Sequence, residues 1–346
     1  MNVEPSALAL FWAAVIVIAI LAYVVLDGFD LGVGILFGTT RDKRLRDEMI
    51  ASISPFWDGN ETWLIVVGAS LFAAFPTVYA VFLAVFYIPV LLLLLALIFR
   101  GVAFEFRARG IAAGLWDGGF AAGSVVAAFV QGAAVGAMIR GIAVVDGQFA
   151  GGSFDWVAAL PILCGIGLVL GYALMGAGWL LLKSDDPPLR DWARDRILVL
   201  AKAVVAVLVV ATVSAFFDRA RMTGNLFLDR PWGFIFALIG AAAIAGIFTG
   251  VRQRRDSWPF AMTVILFIAA FLSLAVMFWP YMIPYTITVG NAATPEKSLS
   301  FLFWGAGVFV LPVIGVYTAV VYWMFRGRQR KGYTSANAPS STVKGS

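Results

Sequence analysis

Three short stretches of an otherwise apolar chain carry carboxylates at helical spacing. Leu26-Asp27-Gly-Phe-Asp30-Leu-Gly-Val-Gly34 sets Asp27 and Asp30 three residues apart, and Trp57-Asp58-Gly-Asn60-Glu61-Thr-Trp63 repeats that spacing with Asp58 and Glu61. Phe99-Arg100-Gly-Val-Ala-Phe-Glu105-Phe-Arg107 adds one cation and a further carboxylate. Residues i and i+3 share a helix face, so each pair presents two carboxyl groups side by side. A charged side chain at membrane depth costs about 3 kcal/mol on insertion scales and defaults to a functional reading. Crowded carboxylates with a single compensating cation suit proton uptake, because neighbouring like charges bring carboxyl groups into the range where protons exchange.

A structural reading stands beside the functional one. Asp and Glu in the first turn of a helix are favoured by the macrodipole, and Asp30 can cap or pair with Arg46 or Arg100 at an interface. For Asp27 and Glu61 taken singly the two readings balance. Asp58 reads as functional, because it lies between Trp57 and Trp63 beside Asn60 and a glycine and looks deeper than a solvated cap. Glu105 lies close to Arg107 and Arg109, which mark the membrane surface.

Other chemistry is narrowed by what the chain lacks. It has no histidine and a single cysteine, Cys164, inside an apolar run. An intrachain disulfide or a thiolate cluster is thereby excluded, and a chain without imidazole is a poor holder of haem iron or a buried redox metal. The net charge of +5 does not mark a nucleic-acid surface, since the basic residues sit in short clusters between apolar runs.

The elements that must position these residues follow from composition. Of 346 residues 62% are hydrophobic and 13% charged, with a mean hydropathy of +0.92, which describes a polytopic membrane protein. Uncharged runs of twenty residues or more specify helices, because the bilayer core offers backbone groups no water. The amino terminus has no basic residue before its first apolar run, so that run reads as a retained helix and not a cleaved signal. Nine spans are expected, at about 7–36, 57–75, 77–106, 117–139, 156–182, 197–217, 232–251, 258–284 and 298–325. Thr62 to Phe99 is 38 residues without a charge, too long for one span, and Phe75-Pro76-Thr77 is the place to break it into a hairpin. Residues 1–331 form one membrane domain, and 332–346, which lack apolar periodicity, read as a disordered tail.

Lys and Arg orient the spans, since cytoplasmic loops collect them. Arg41, Lys43, Arg44 and Arg46 are followed on alternate segments by Arg107 and Arg109, then Lys183, Arg190, Arg194 and Arg196, then Arg252, Arg254 and Arg255, and finally Arg326, Arg328, Arg330, Lys331 and Lys344. The opposite side has only Arg140, Arg219, Arg221, Arg230 and Lys297. The amino terminus is therefore expected outside and the carboxyl terminus inside, and all three carboxylate motifs fall at the cytoplasmic level, where Asp27, Asp30, Asp58, Glu61, Glu105 and Arg100 can converge. Trp279-Pro-Tyr281-Met-Ile-Pro284-Tyr285 reads as an interfacial aromatic belt, the glycines of span five as a packing face, and Lys202 as a side chain that snorkels to the surface. A faint echo between Gly68–Pro76 and Val210–Phe217, four spans apart, hints at two four-helix repeats plus one helix.

Asp27-Gly-Phe-Asp-Leu-Gly-Val-Gly34, Trp57-Asp-Gly-Asn-Glu-Thr-Trp-Leu64, Leu71-Phe-Ala-Ala-Phe-Pro76 and Phe99-Arg-Gly-Val-Ala-Phe-Glu-Phe-Arg107 occur in that order, with Trp279–Pro284 and Asn291–Ala293 before the last span. Together they resemble subunit II of the cytochrome bd quinol oxidases. Between about 110 and 255 the likeness is one of hydropathy only.

The resemblance implies an all-α integral membrane fold of nine helices, two four-helix bundles plus one peripheral helix, in the bacterial cytoplasmic membrane. It implies a heterodimer with a subunit I that carries two b-type haems, haem d and the quinol site. Ubiquinol is then the substrate, small accessory subunits are candidate further partners, and this chain alone binds no cofactor and holds no complete active site. By the same resemblance the position of Asp58 belongs to a cytoplasmic proton path, with Asp30 and Glu105 near it, while Trp63, with Trp57 beside it, belongs to an oxygen route or to packing. Glu105 stands where some members have Asp, which keeps a titratable group and changes its reach. The short loops and Phe56-Trp57-Asp58 look closer to the cyanide-insensitive branch. Two other readings remain at this stage: a secondary transporter with an intramembrane carboxylate site, and a purely structural subunit. Transporter sites lie near the midplane on broken helices, whereas these carboxylates lie at helix ends.

Overall fold

Ser6 accepts a hydrogen bond from the Ala9 backbone N–H, and no proline follows before Pro55, so the first helix, α1, runs unbroken over Ala7–Phe37. Thirty-one residues make a rod about 46 Å long, more than the ~30 Å hydrocarbon layer needs. The computed structural model to which it belongs describes residues 3–107, 113–219 and 230–328, and these are predominantly helical. Eight helices among them are long and apolar enough to cross a membrane.

The first basic loop holds a helix that hydropathy hides. In α2, Lys43–Ile53, Asp42 caps the Arg44 and Leu45 N–H groups, while Leu45, Met49 and Ile53 recur every fourth residue and are buried. The second expected span forms as α3, Trp57–Ala74, an 18-residue helix whose first turns carry Asp58 and Glu61; it is not among the eight. The expected break at Pro76 is present, with Phe75 out of helical conformation.

The expected span 77–106, in which Pro89 implies a kink, is instead two helices, α4 (Pro76–Val85) and α5 (Tyr87–Arg107), parted at Phe86. Pro89 has no N–H for the Val85 carbonyl, and its ring crowds that carbonyl, so the break falls one turn before it. Then follow α6 (Ala113–Arg140), a two-stranded hairpin of β1 (Val144–Val145) and β2 (Gln148–Phe149) turned on Asp146-Gly147, α7 (Ala159–Lys183) and α8 (Pro187–Arg219).

After α9 (Phe234–Arg252), α10 ends at Phe278 and not near 284 as expected, spanning Trp258–Phe278. Pro280 and Pro284 cannot continue a helix and restrain the residues before them, and 281–288 form a second hairpin, β3 (Tyr281–Ile283) with β4 (Ile287–Thr288). A single turn, α11 (Val289–Ala292), leads to α12 (Glu296–Leu302), a π-helical segment over Phe303–Gly307 and α13 (Val310–Met324). The wide turn closes where Val308 N–H reaches back five residues to the Phe303 carbonyl. The tail expected to be disordered, with Lys344, and Arg109, Arg221, Arg330 and Lys331 of the topology argument, lie outside the described residues.

Helix α1 is the axis of the packing. It lies against α3, α6, α7 and α10, and from Asp27 to Phe37 every residue is buried. Its glycines make this possible: a Cβ on Gly32 would stand 1.8 Å from the Tyr172 carbonyl oxygen, so α1 and α7 touch backbone to backbone. One apolar core fills this end, around Phe29, Phe37, Met49, Phe120 and Trp179. A second fills the other end, around Trp12, Phe75, Phe86 and Ile283. Helix α13 has no buried residue and lies at the edge.

Candidate functional site

The packing of α1, α3 and α5 brings four of the predicted residues together. Asp27 and Asp30 on α1 are fully buried, Arg100 on α5 is 1% exposed, and the side chain of Glu61 on α3 is 22% exposed. Arg100 Nη1 lies 2.8 Å from Glu61 Oε1 and 4.0 Å from Asp27 Oδ1. Asp30 pairs with neither Arg46 nor Arg100. It accepts instead from Asn60 Nδ2 at 2.6 Å, and the same amide nitrogen donates to the Leu26 carbonyl while its oxygen accepts from the Tyr322 hydroxyl at 3.0 Å. Asn60 thus ties α1, α3 and α13 together.

Three carboxylates stand here with one guanidinium, which pairs with two of them, and hydrogen bonding is incomplete. Both oxygens of Asp27, Oδ1 of Asp30, and Nε and Nη2 of Arg100 are buried with no partner among the described residues. Buried polar atoms normally find partners, and orphans gathered in one place mark a site under constraint. Arg100 also lies 5.6 Å over the ring of Phe120, and Phe29, stacked on Trp179 at 3.9 Å with Phe56, Phe260 and Tyr322 around it, walls the neighbouring space with aromatic rings.

The other predicted residues stay outside this group. Asp58, expected to be deeper than a solvated cap, is exposed in the first turn of α3, and Glu105 is exposed near the end of α5. Only the inner face of each motif turns toward α1. Trp57 packs on Phe104 at 5.1 Å and over Gly101. Trp63 is half-buried, its indole N–H buried without an acceptor among the described residues. Lys202 is exposed, and Lys183 is buried over Phe56 and Trp179, donating to the Phe325 and Gly327 carbonyls beyond α13.

Sequence reading did not single out Asn60, Tyr23, Gln131, Tyr172 or Tyr322. The available signal was a polar side chain inside an apolar run, which hydropathy averages away.

Around this cluster, at the same end of the bundle, runs a belt of matched ion pairs. Asp117 takes Arg46 at 2.8 Å and Arg107 at 2.6 Å, Arg107 also pairs with Asp47 at 2.6 Å, and Arg44 pairs with Asp186 at 2.9 Å. Asp256 is held by Arg190, by Arg194 at 2.9 Å and by Arg328 at 3.3 Å. The belt joins α2, the start of α6, the start of α8 and the turn before α10.

The donor set does not fit a haem. The chain has no histidine, and beside Cys164 the backbones of α6 and α7 meet, a Cβ on Gly132 falling 2.4 Å from the Cys164 carbonyl oxygen. Among the described residues no group of three or more His, Cys, Asp or Glu is placed to hold a metal ion.

Comparison with known proteins adds an independent line. The family model for cytochrome bd terminal oxidase subunit II matches residues 8–325. Relatives include cytochrome bd-I ubiquinol oxidase subunit 2 of Escherichia coli K12, 28% identical with 98% of this chain and 99% of the relative covered. Cytochrome bd ubiquinol oxidase subunit 2 of Bacillus subtilis 168 is 30% identical, with 92% and 95% covered. A chain of the bd oxidase structure from Geobacillus thermodenitrificans superposes with a TM-score of 0.76 at 14% identity, over 92% of this chain and 99% of that one, a likeness of fold.

Proposed function

The chain belongs to the cytochrome bd terminal oxidase subunit II family, and from that premise we propose that it is the haem-free partner of a haem-bearing subunit I and supplies the complex with a proton-uptake route. As a subunit of a bd-type terminal oxidase it is a multi-pass protein of the bacterial inner membrane. In the reading proposed here, subunit I holds the b- and d-type haems and oxidises quinol near the outer face. Oxygen is reduced to water with protons taken from the cytoplasm, and this chain carries those protons inward. Small accessory subunits complete the set of candidate partners.

The observation that carries this reading is the buried group of three carboxylates around Arg100. One guanidinium cannot neutralise three carboxylates, and uncompensated charge in a low-dielectric interior is costly; protons shared among Asp27, Asp30 and Glu61 relieve it. Glu61 is the member with an accessible side chain, and exposed Asp58 stands one turn before it on α3. A proton reaching Glu61 cancels the charge that holds Arg100, freeing the guanidinium to turn toward Asp27. Asp30, bonded to the neutral Asn60 amide, offers the next carboxyl group one turn along α1. Glu105, further out on α5, acts as a collecting group. The half-buried Trp63 and Trp57 on the flank of α3 serve an oxygen route or packing against subunit I.

The same reading takes α3 as the ninth span. Helix α1 ends and α5 ends at the basic end, where Arg107 meets Asp47, so the chain must return to the opposite end between them, and α3 is the segment that does so. An outside amino terminus, an inside carboxyl terminus and two four-helix bundles with α13 as the extra helix complete the proposed topology.

The test is purification through a tag on this chain. The expected product is a complex with b- and d-type haem absorption that oxidises ubiquinol and takes protons from the cytoplasmic side. A colourless chain without a haem-bearing partner, from cells that make both, would overturn the reading.

A further inference from the structure

Three polar side chains from three helices form a chain that the proton route does not use. Gln131 on α6 donates from Nε2 to the Tyr23 hydroxyl oxygen at 2.9 Å, and the Tyr172 hydroxyl on α7 donates to Gln131 Oε1 at 3.3 Å. Tyr23 is 4% and Tyr172 0% exposed. Gly28 clears the space for the second ring, since a Cβ there would fall 2.7 Å from Tyr172 Cε1.

The direction of these bonds matters. The Tyr23 oxygen is already an acceptor, so its own hydrogen is left to donate, and a buried hydroxyl hydrogen seeks an acceptor. Tyr23 lies four residues before Asp27 on α1, on the same helix face. Both Asp27 oxygens are buried with no hydrogen-bond partner among the described residues. Every donor in the series Tyr172, Gln131, Tyr23 therefore points toward Asp27.

We propose that Tyr23, held by Gln131 and Tyr172, is a positioning residue that donates to Asp27 and keeps its carboxylate turned toward Arg100, leaving Asp30 to exchange the proton. The proposal rests on the proton-uptake reading and names the residues that divide labour within that site. The two aspartates differ in what faces them. Asp27 has Arg100 at 4.0 Å and Tyr23 one helical turn before it on α1, whereas Asp30 has a neutral amide at 2.6 Å and an oxygen with no donor among the described residues. Titratable groups facing Asp27 are Arg100 from α5, Glu61 from α3, Asp30 and Tyr23 from α1, Tyr172 from α7 and Tyr322 from α13. Helix α6 brings the uncharged Gln131, and α10 meets α1 with apolar rings such as Phe260.

The experiment uses the assembled oxidase with Tyr23→Phe, which keeps the ring and removes the donor, and Tyr172→Phe, which cuts the far end of the series. Infrared difference spectra identify the Asp27 carboxylate bands by their loss in Asp27→Asn, and turnover is followed against pH. Tyr23→Phe is expected to move those bands and to displace the pH profile by about one unit, the worth of one hydrogen bond to a charged group; Tyr172→Phe does the same to a smaller extent. If Tyr23→Phe does not assemble, Tyr172→Phe carries the test alone. Asp27 bands and a pH profile identical to the parent in an assembled variant overturn the positioning role. Should Asp27→Asn and Glu61→Gln leave proton-coupled turnover intact, the uptake reading falls, while the bands still report whether Tyr23 holds Asp27.

Discussion

Two charged regions lie at the same end of this bundle and differ in their arithmetic. In the outer belt each carboxylate meets at least one arginine at hydrogen-bonding distance, and Asp256 meets three. Apart from buried Asp186 these side chains are partly exposed, and the pairs join separate helices and turns. In the inner cluster Arg100 pairs with Asp27 and Glu61 while Asp30 has only the neutral Asn60 amide, and Asp27, Asp30 and Arg100 are sealed from solvent. Matched, half-exposed pairs contribute modestly and need no proton to balance them. A buried excess of carboxylate is stable only with protons or partners added. In the proposed function, charge at this end therefore has two uses, anchoring in the belt and proton exchange in the cluster.

The sharpest way to break the comparison is to remove the one cation of the inner cluster. Arg100→Leu leaves three carboxylates without compensation, at a cost of about 3 kcal/mol or more, and the expected outcome is loss of assembled, haem-bearing complex from membranes. Assembly at the parental level would show that the cluster was never ionic.

A smaller effect separates the buried carboxylate from the exposed one. Asp30→Asn preserves shape and removes the exchangeable proton, so quinol oxidase turnover should fall about 100-fold, the scale of one positioned proton carrier, with haem spectra unchanged. Asp58→Asn, in an exposed first turn, should slow turnover by less. Equal turnover in parent and both variants, with normal assembly, would favour a purely structural subunit.

Least affected is the belt. Asp256→Asn should leave turnover and its pH profile alone while lowering thermal stability by about 1 kcal/mol, read as an earlier loss of haem absorbance on heating. A turnover defect as large as that of Asp30→Asn would erase the distinction between the two regions.

How legible was all this in the chain itself? Charge-free runs, Pro76, and the alternation of basic clusters marked most helices and the segments between them, because backbone hydrogen bonding in lipid leaves a chain few options. The residues of three motifs named the site. Composition also spoke against a haem on this chain, since no histidine exists to hold one.

Local chemistry that hydropathy averages away was lost. Helix α2 was concealed by its arginines although Asp42 and the Leu45, Met49, Ile53 spacing announce it. The break at Phe86 required weighing Pro89 against a strongly apolar run, and the hairpin after Phe278 required weighing two prolines against an aromatic one.

What the sequence by itself determined is a helical membrane chain with carboxylates and one arginine at helix ends, because spacing and hydropathy are properties of the chain read in order. Which of those carboxylates face one another depended on the rotation of α3 and α5 about their axes, and a spacing of three residues does not set that rotation. The packing of α1 against α3, and of α5 on α6 where Gly123 lies against Ala96 and Arg100, decided it, turning Glu61 and Arg100 inward while Asp58 and Glu105 face out. Tertiary structure alone brought Tyr23, Gln131 and Tyr172 into one hydrogen-bonded series, since residues 108 and 41 positions apart become neighbours only when three helices pack.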